Sequence, residues 1–113
     1  MKKKKKKNLK KKLLIFNIYH NYIMTKVGKY NYEKSPIKNK KLRVVVNRKV
    51  IDFGDSRYQH FKDRTGLWSQ LDHNDKKRRA NYRARAKGAL KKDGTPAYLD
   101  PPQPAWHSYH ILW

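Results

Sequence analysis

The stretch Leu42-Arg43-Val44-Val45-Val46-Asn47-Arg48-Lys49-Val50-Ile51-Asp52-Phe53 decides the fold. Two runs rich in β-branched residues, LRVVV and VIDF, flank the polar triplet Asn47-Arg48-Lys49. That pattern predicts a β-hairpin. Leu42, Val44 and Val46 alternate along the first run, so they share one strand face. Gly54 follows Phe53 as a bulge or strand exit.

Downstream, Asp55 to Gln70 is mixed, with Tyr58, Phe61, Leu67 and Trp68 as core contacts. A helix is predicted over Lys76–Lys87, the string KKRRANYRARAK. Asp72 or Asn74 would cap it, Asp75 suits the first turn, and Gly88 is placed as the stop. Ala80 and Ala84 form one narrow stripe and Tyr82 and Ala86 another, with basic side chains between them. Asp93-Gly94-Thr95-Pro96 reads as a turn, and Tyr98 to Pro104, with three prolines, as extended chain. Trp106, Tyr109, His110 and Trp113 fall at i, i+3, i+4 and i+7, which is one helical face or a strand returning to the hairpin. Trp106, Tyr109 and Trp113 are thereby assigned as aromatic core or anchor residues over the hairpin's apolar face.

The expected fold class is α+β: a small hairpin-based domain with one basic helix and an aromatic C-terminal segment, spanning 42–113. An extended basic arm, 24–41, leads into it. Residues 1–23 form an N-terminal extension whose first twelve residues hold nine Lys and no acid, followed by the apolar run Leu13 to Ile23. A run of like charges repels itself and extends. Asn17, His20 and Asn21 interrupt the apolar run, and no small-residue cleavage site follows, so it makes a poor secretory signal. At eleven residues it is also short for a membrane span, although it suits an amphipathic anchor on an anionic membrane. Met24 offers an alternative start, since the extension is written almost wholly in residues with A/T-rich codons.

Charge narrows the function. The chain of 113 residues carries +22, and still +13 without the nine extension lysines. Such an excess calls for a partner of opposite sign: nucleic acid, an acidic protein or an anionic membrane. The absence of cysteine excludes disulfides and thiolate chemistry. Asp52-Phe53-Gly54-Asp55 contains the kinase D-F-G triplet, but the Gly-rich loop, strand lysine and catalytic loop are missing. Asp72-His73-Asn74-Asp75 and the pair His107/His110 lack a further ligand at matching spacing. Ser35, Ser56, Ser69 and Ser108 sit in no nucleophile elbow. The expectation is therefore a non-enzymatic protein without catalytic residues, metal, cofactor or small-molecule substrate. Lys76, Lys77, Arg78, Arg79, Arg83, Arg85 and Lys87 are the candidate partner-binding residues, their Arg forks suited to phosphate or carboxylate oxygens. Only Asp75 lies within reach to neutralise them locally.

Three features occur in order: a β pair ending in Phe53-Gly54-Asp55, the run His73-x-Asp75-x-x-Arg78-Arg79-x-x-Tyr82-x-x-Arg85, and a Pro-containing segment closing on Trp106 to Trp113. Together they resemble a set of small basic proteins of nucleocytoplasmic large DNA viruses, the chlorella-virus and giant-virus group, over about Leu42 to Trp113. The resemblance implies a virion component. In that setting the expected role is a minor capsid protein that bridges capsid subunits, or shell and inner membrane. Nonspecific binding and condensation of packaged DNA is the alternative.

Overall fold

The structure, a computed structural model, describes residues 24–113; the extension 1–23, and with it the membrane-anchor expectation, lies outside them. Four strands, β1 (Met24–Val27), β2 (Tyr30–Lys34), β3 (Lys40–Val46) and β4 (Lys49–Asp55), form one antiparallel meander in that order. The hairpin is its second half. Its loop is two residues rather than three: Asn47 and Arg48 have φ of 49° and 67°, and Lys49 already pairs with Val46. Left-handed backbone at both loop positions is what a tight hairpin turn needs to follow strand twist.

Residues 24–41 are not an extended arm. They supply β1, β2 and the start of β3, because β2 has its own alternation: Tyr32 faces the core opposite Val44 and is fully buried. Ordered structure therefore begins before Leu42, and the fold is an α+β domain built on a four-stranded sheet.

One sheet face, carrying Tyr32, Leu42, Val44, Val46, Ile51 and Phe53, makes the core with Ile111 and Leu112. Each such buried side chain contributes roughly 1.5–3 kcal/mol. The C-terminal segment thus does cover the hairpin, chiefly through Ile111 and Leu112, with Trp113 packed at the edge of that cluster. Here α2 (Pro104–His107) widens into a π turn over Ser108–Leu112, closed by Trp113 N–H donating to Ser108 O at 3.2 Å. The wider turn breaks the i, i+3, i+4 period. His107, Tyr109, Ile111 and Leu112 point inward, whereas Trp106 and Trp113 are half-buried. Trp106 lies edge-on to Tyr30, and Trp113 both packs against the core cluster and stacks on Tyr82 of the basic helix.

That helix, α1 (Lys76–Lys87), has the expected bounds. The cap is Asp75, whose carboxylate accepts from the N–H groups of Lys77 and Arg78 at 3.0 and 3.1 Å. Gly88 ends it in right-handed backbone, φ −82°. The Asp93-Gly94 turn forms as expected, with Lys91 N–H donating to Thr95 O at 2.8 Å. The segment after it is not wholly extended, since Ala97–Leu99 makes a 3₁₀ turn. Tyr58 is no core residue; it stands 64% exposed, and the buried members of its segment are the polar residues His60, Asp63 and Thr65.

Candidate functional site: the basic helix and the cleft beside it

Helix α1 has two faces with different work. Its inner face consists of Arg79, Tyr82, Arg83 and Ala86, all half-buried. Tyr82 stacks flat on Trp113, centroids 4.2 Å apart and planes 8° from parallel. Arg79 Nε and Arg83 Nε both donate to the main-chain oxygen of Trp113, at 2.8 and 3.2 Å. Their guanidinium groups also lie over the rings of Phe61 and Tyr109, at 4.6 and 5.1 Å. A guanidinium over an aromatic face is worth about 0.5–2 kcal/mol. Of the seven basic residues assigned to the partner, Arg79 and Arg83 are therefore engaged inside the fold.

The outer face keeps Lys76, Lys77, Arg78, Arg85 and Lys87, with the small residues Ala80 and Ala84 exposed among them. Arg78 Nη1 donates to Gln59 Oε1 at 3.1 Å, and the others meet no carboxylate at ion-pair distance among the described residues. At about 1.5 Å per residue, twelve residues present roughly 18 Å of basic surface.

The acids explain why this face stays unbalanced. Asp52 is held by Arg43 at 2.9 Å and by Ser35, and Asp55 by Arg57 at 2.7 Å. These partners lower both carboxyl pKa values, that of Asp55 to about 2. Asp63 accepts from Thr65 and Trp68 backbone N–H groups, and Asp75 caps α1. Asp93 accepts from Thr95, Asp100 from Lys91 at 2.8 Å, and Glu33 is buried in β2. Asp72 belongs to the buried chain described next. Seven of the eight acids of residues 24–113 thus have partners within the domain and the eighth, Glu33, is buried, so the positive surplus faces outward.

That chain joins Lys41, His60 and Asp72. As an ammonium, Lys41 Nζ can only donate, so at 2.8 Å from His60 Nδ1 it fixes that nitrogen as the acceptor. The proton of neutral His60 then sits on Nε2 and is donated to Asp72 Oδ1 at 2.5 Å. Lys41 is only 2% exposed, and burial lowers its pKa to about 8. Burial and the Lys41 charge also lower that of His60. Lys41 fits because its cross-strand neighbour is Gly54: a Cβ there would lie 3.1 Å from Lys41 Cδ and 2.9 Å from Leu112 Cδ1. A second buried imidazole, His107, donates from Nε2 to Pro101 O at 2.6 Å and accepts from the Tyr32 hydroxyl at 2.7 Å. Sequence reasoning passed over Lys41 and His60, whose partners lie 19 and 12 residues away with no local pattern linking them.

Between the β3–β4 end of the sheet, the Tyr58-Gln59 loop, α1 and the C-terminal turns lies a cleft of about 540 Å³. Lys40, Arg85, Tyr58, Gln59, Tyr82 and Trp113 are among its walls. Among the described residues, no three His, Cys, Asp or Glu side chains gather to hold a metal ion, and no helix is long and apolar enough to cross a membrane.

The fold and site define a small antiparallel-sheet α+β protein with a basic helix docked on its C-terminal aromatic residues. Residues 31–86, just under half of the chain, match a protein family described as a family of unknown function, DUF5754. The match begins in β2 and ends one residue before α1 does, so it takes in the hairpin, the Lys41–His60–Asp72 chain and nearly all of the basic helix. No curated protein and no solved structure matches the chain.

Proposed function

We propose that this protein is a non-enzymatic structural component that docks onto an acidic protein surface through the outer face of α1. The observation that supports this most is that seven of the eight acids of residues 24–113 are bonded within the domain and Glu33 is buried, which leaves Lys76, Lys77, Arg78, Arg85 and Lys87 facing outward without a carboxylate partner. Exposed apolar side chains favour protein over nucleic acid as the partner. Val45 and Val50 lie opposite one another on β3 and β4 and are both more than half exposed, and phosphate backbone has no use for such a pair. In the virion setting implied by the resemblance, the role is that of a minor capsid protein bridging acidic surfaces of the shell.

Nonspecific DNA binding is the second reading, favoured by the Arg forks of Arg78 and Arg85 on one edge of α1. Titration of duplex DNA across salt concentrations separates the two. The docking reading expects affinity at physiological salt within the non-specific range of roughly 10⁻⁴–10⁻⁶ M. Tighter binding, with a salt slope that flattens by about 2.7 on replacing Lys76, Lys77 and Lys87 with Gln, would establish the DNA reading instead.

A further inference from the structure

We infer that the cleft beside α1 is a binding site for a planar aromatic ring bearing a phosphate, that is, a nucleoside monophosphate or the terminal nucleotide of a single strand. This goes beyond the docking face, and beyond the expectation that the protein has no small-molecule substrate. The charge of the cleft carries the first half of the argument. Its two carboxylates are already satisfied, Asp52 by Arg43 and Asp55 by Arg57. Its cations Lys40 and Arg85 are exposed and meet no carboxylate at ion-pair distance among the described residues. The buried Lys41 adds its charge at the cleft wall. The site is therefore set for an anion, and guanidinium and ammonium groups together suit a phosphate.

The walls carry the second half. Tyr58 stands beside the cleft with most of its ring in solvent, although nothing in the core requires an aromatic there. Arg57 lies over that ring at 5.6 Å, and the stacked pair Tyr82 and Trp113 forms another wall. A base stacked on an aromatic side chain gains about 1–3 kcal/mol whatever its identity. Gln59 Oε1 is occupied by Arg78, which leaves its amide N–H groups to donate to a base edge. A volume of about 540 Å³ lies within the range of small-molecule sites.

Calorimetric titration of the full chain with AMP and UMP, beside adenosine, inorganic phosphate and phosphotyrosine, tests this. The expected result is that AMP and UMP bind at least tenfold more tightly than adenosine or phosphate. Tyr58→Ala and Arg85→Gln should each weaken that binding about tenfold with the melting temperature unchanged, and Lys77→Gln should leave it intact. A 5′-phosphorylated tetranucleotide that binds more tightly than AMP assigns the ligand to a strand end; equal affinity assigns it to free nucleotide. Nucleotides no tighter than inorganic phosphate, equal weakening by Lys77→Gln, or a preference for phosphotyrosine would each overturn the inference. None of these outcomes touches the docking face, which is tested through Lys76, Lys77 and Lys87.

Discussion

Arg79 Nε donates to the main-chain oxygen of Trp113 at 2.8 Å while its guanidinium lies over Phe61, so a residue of the basic helix acts as a clamp on the far end of the chain. The contact divides the cations of α1 by function. Those on the inner face bind the helix to the domain, and those on the outer face stay exposed.

Arg79→Gln should therefore destabilise the fold by about 2 kcal/mol, the sum of a charge-assisted hydrogen bond and a cation–π contact. Lys77→Gln, on the outer face, should stay within about 0.5 kcal/mol of the parent. Urea unfolding of both variants checks this. Equal effects would mean that the two faces do not differ.

Acid should weaken the protein well before its carboxylates titrate. His60 and His107 are fully buried, and burial lowers the pKa of each below the ordinary value of 6.5. The unfolded chain takes up these protons first, so their contribution is complete above about pH 6.5 and falls as pH drops toward the folded values. Each contributes at most about 1.4 kcal/mol per pH unit in that window. Unfolding free energy measured from pH 7.5 to 5 should decline; a flat profile would refute the buried neutral imidazoles.

At the alkaline end the sign comes from Lys41. Its folded pKa of about 8 lies below its unfolded value of 10.5, so above pH 8 the native state gives up a proton that the unfolded chain still holds. Stability should rise with pH between about 8 and 10.5, by at most about 3 kcal/mol. The general loss of positive charge raises stability too, so the measure is the slope against Lys41→Met. The parent slope should be the steeper, and parallel slopes would contradict the buried lysine.

Gly54→Ala should be severe. Gly54 has φ of +75°, and its added Cβ would meet Leu112 Cδ1 at 2.9 Å and crowd the Lys41 stem. Left-handed backbone and a core clash together cost on the order of 2–4 kcal/mol. Gly94→Ala has the same handedness, φ +85°, but open space around it. It should cost only the backbone share, about 1 kcal/mol. Thermal unfolding of the two variants measures the difference, and equal losses would mean that Leu112 and Lys41 yield without cost.

The sequence made legible those elements with a strong local signal. The alternation of Leu42, Val44 and Val46 marks the hairpin, and the Asp75-to-Gly88 punctuation marks α1. Residues 24–41 were misread because Lys and Asn diluted the apolar content of β1 and β2, leaving Tyr32 as the one fully buried anchor. Among the C-terminal residues, Tyr109 is buried and Trp113 packs against the core, but a π turn shifts the phase of the helix after His107 and sends Ile111 and Leu112 deepest, which the regular helical period does not foresee. The basic helix was visible as charge, but which of its cations were already engaged was not. That depends on Trp113, 34 residues from Arg79 and 30 from Arg83.

The docking of the outer face of α1 onto an acidic protein surface is tested most directly by zero-length carbodiimide crosslinking, which joins lysine amines only to carboxylates in contact with them. The experiment uses particles purified from the native source and digested for mass spectrometry. The account expects Lys76, Lys77 and Lys87 to be linked to Asp or Glu residues of a shell protein, and expects Lys41, buried against His60, to be unlinked. Absence of any carboxylate link at those three lysines, with the protein recovered instead on the packaged DNA after formaldehyde fixation, would contradict it.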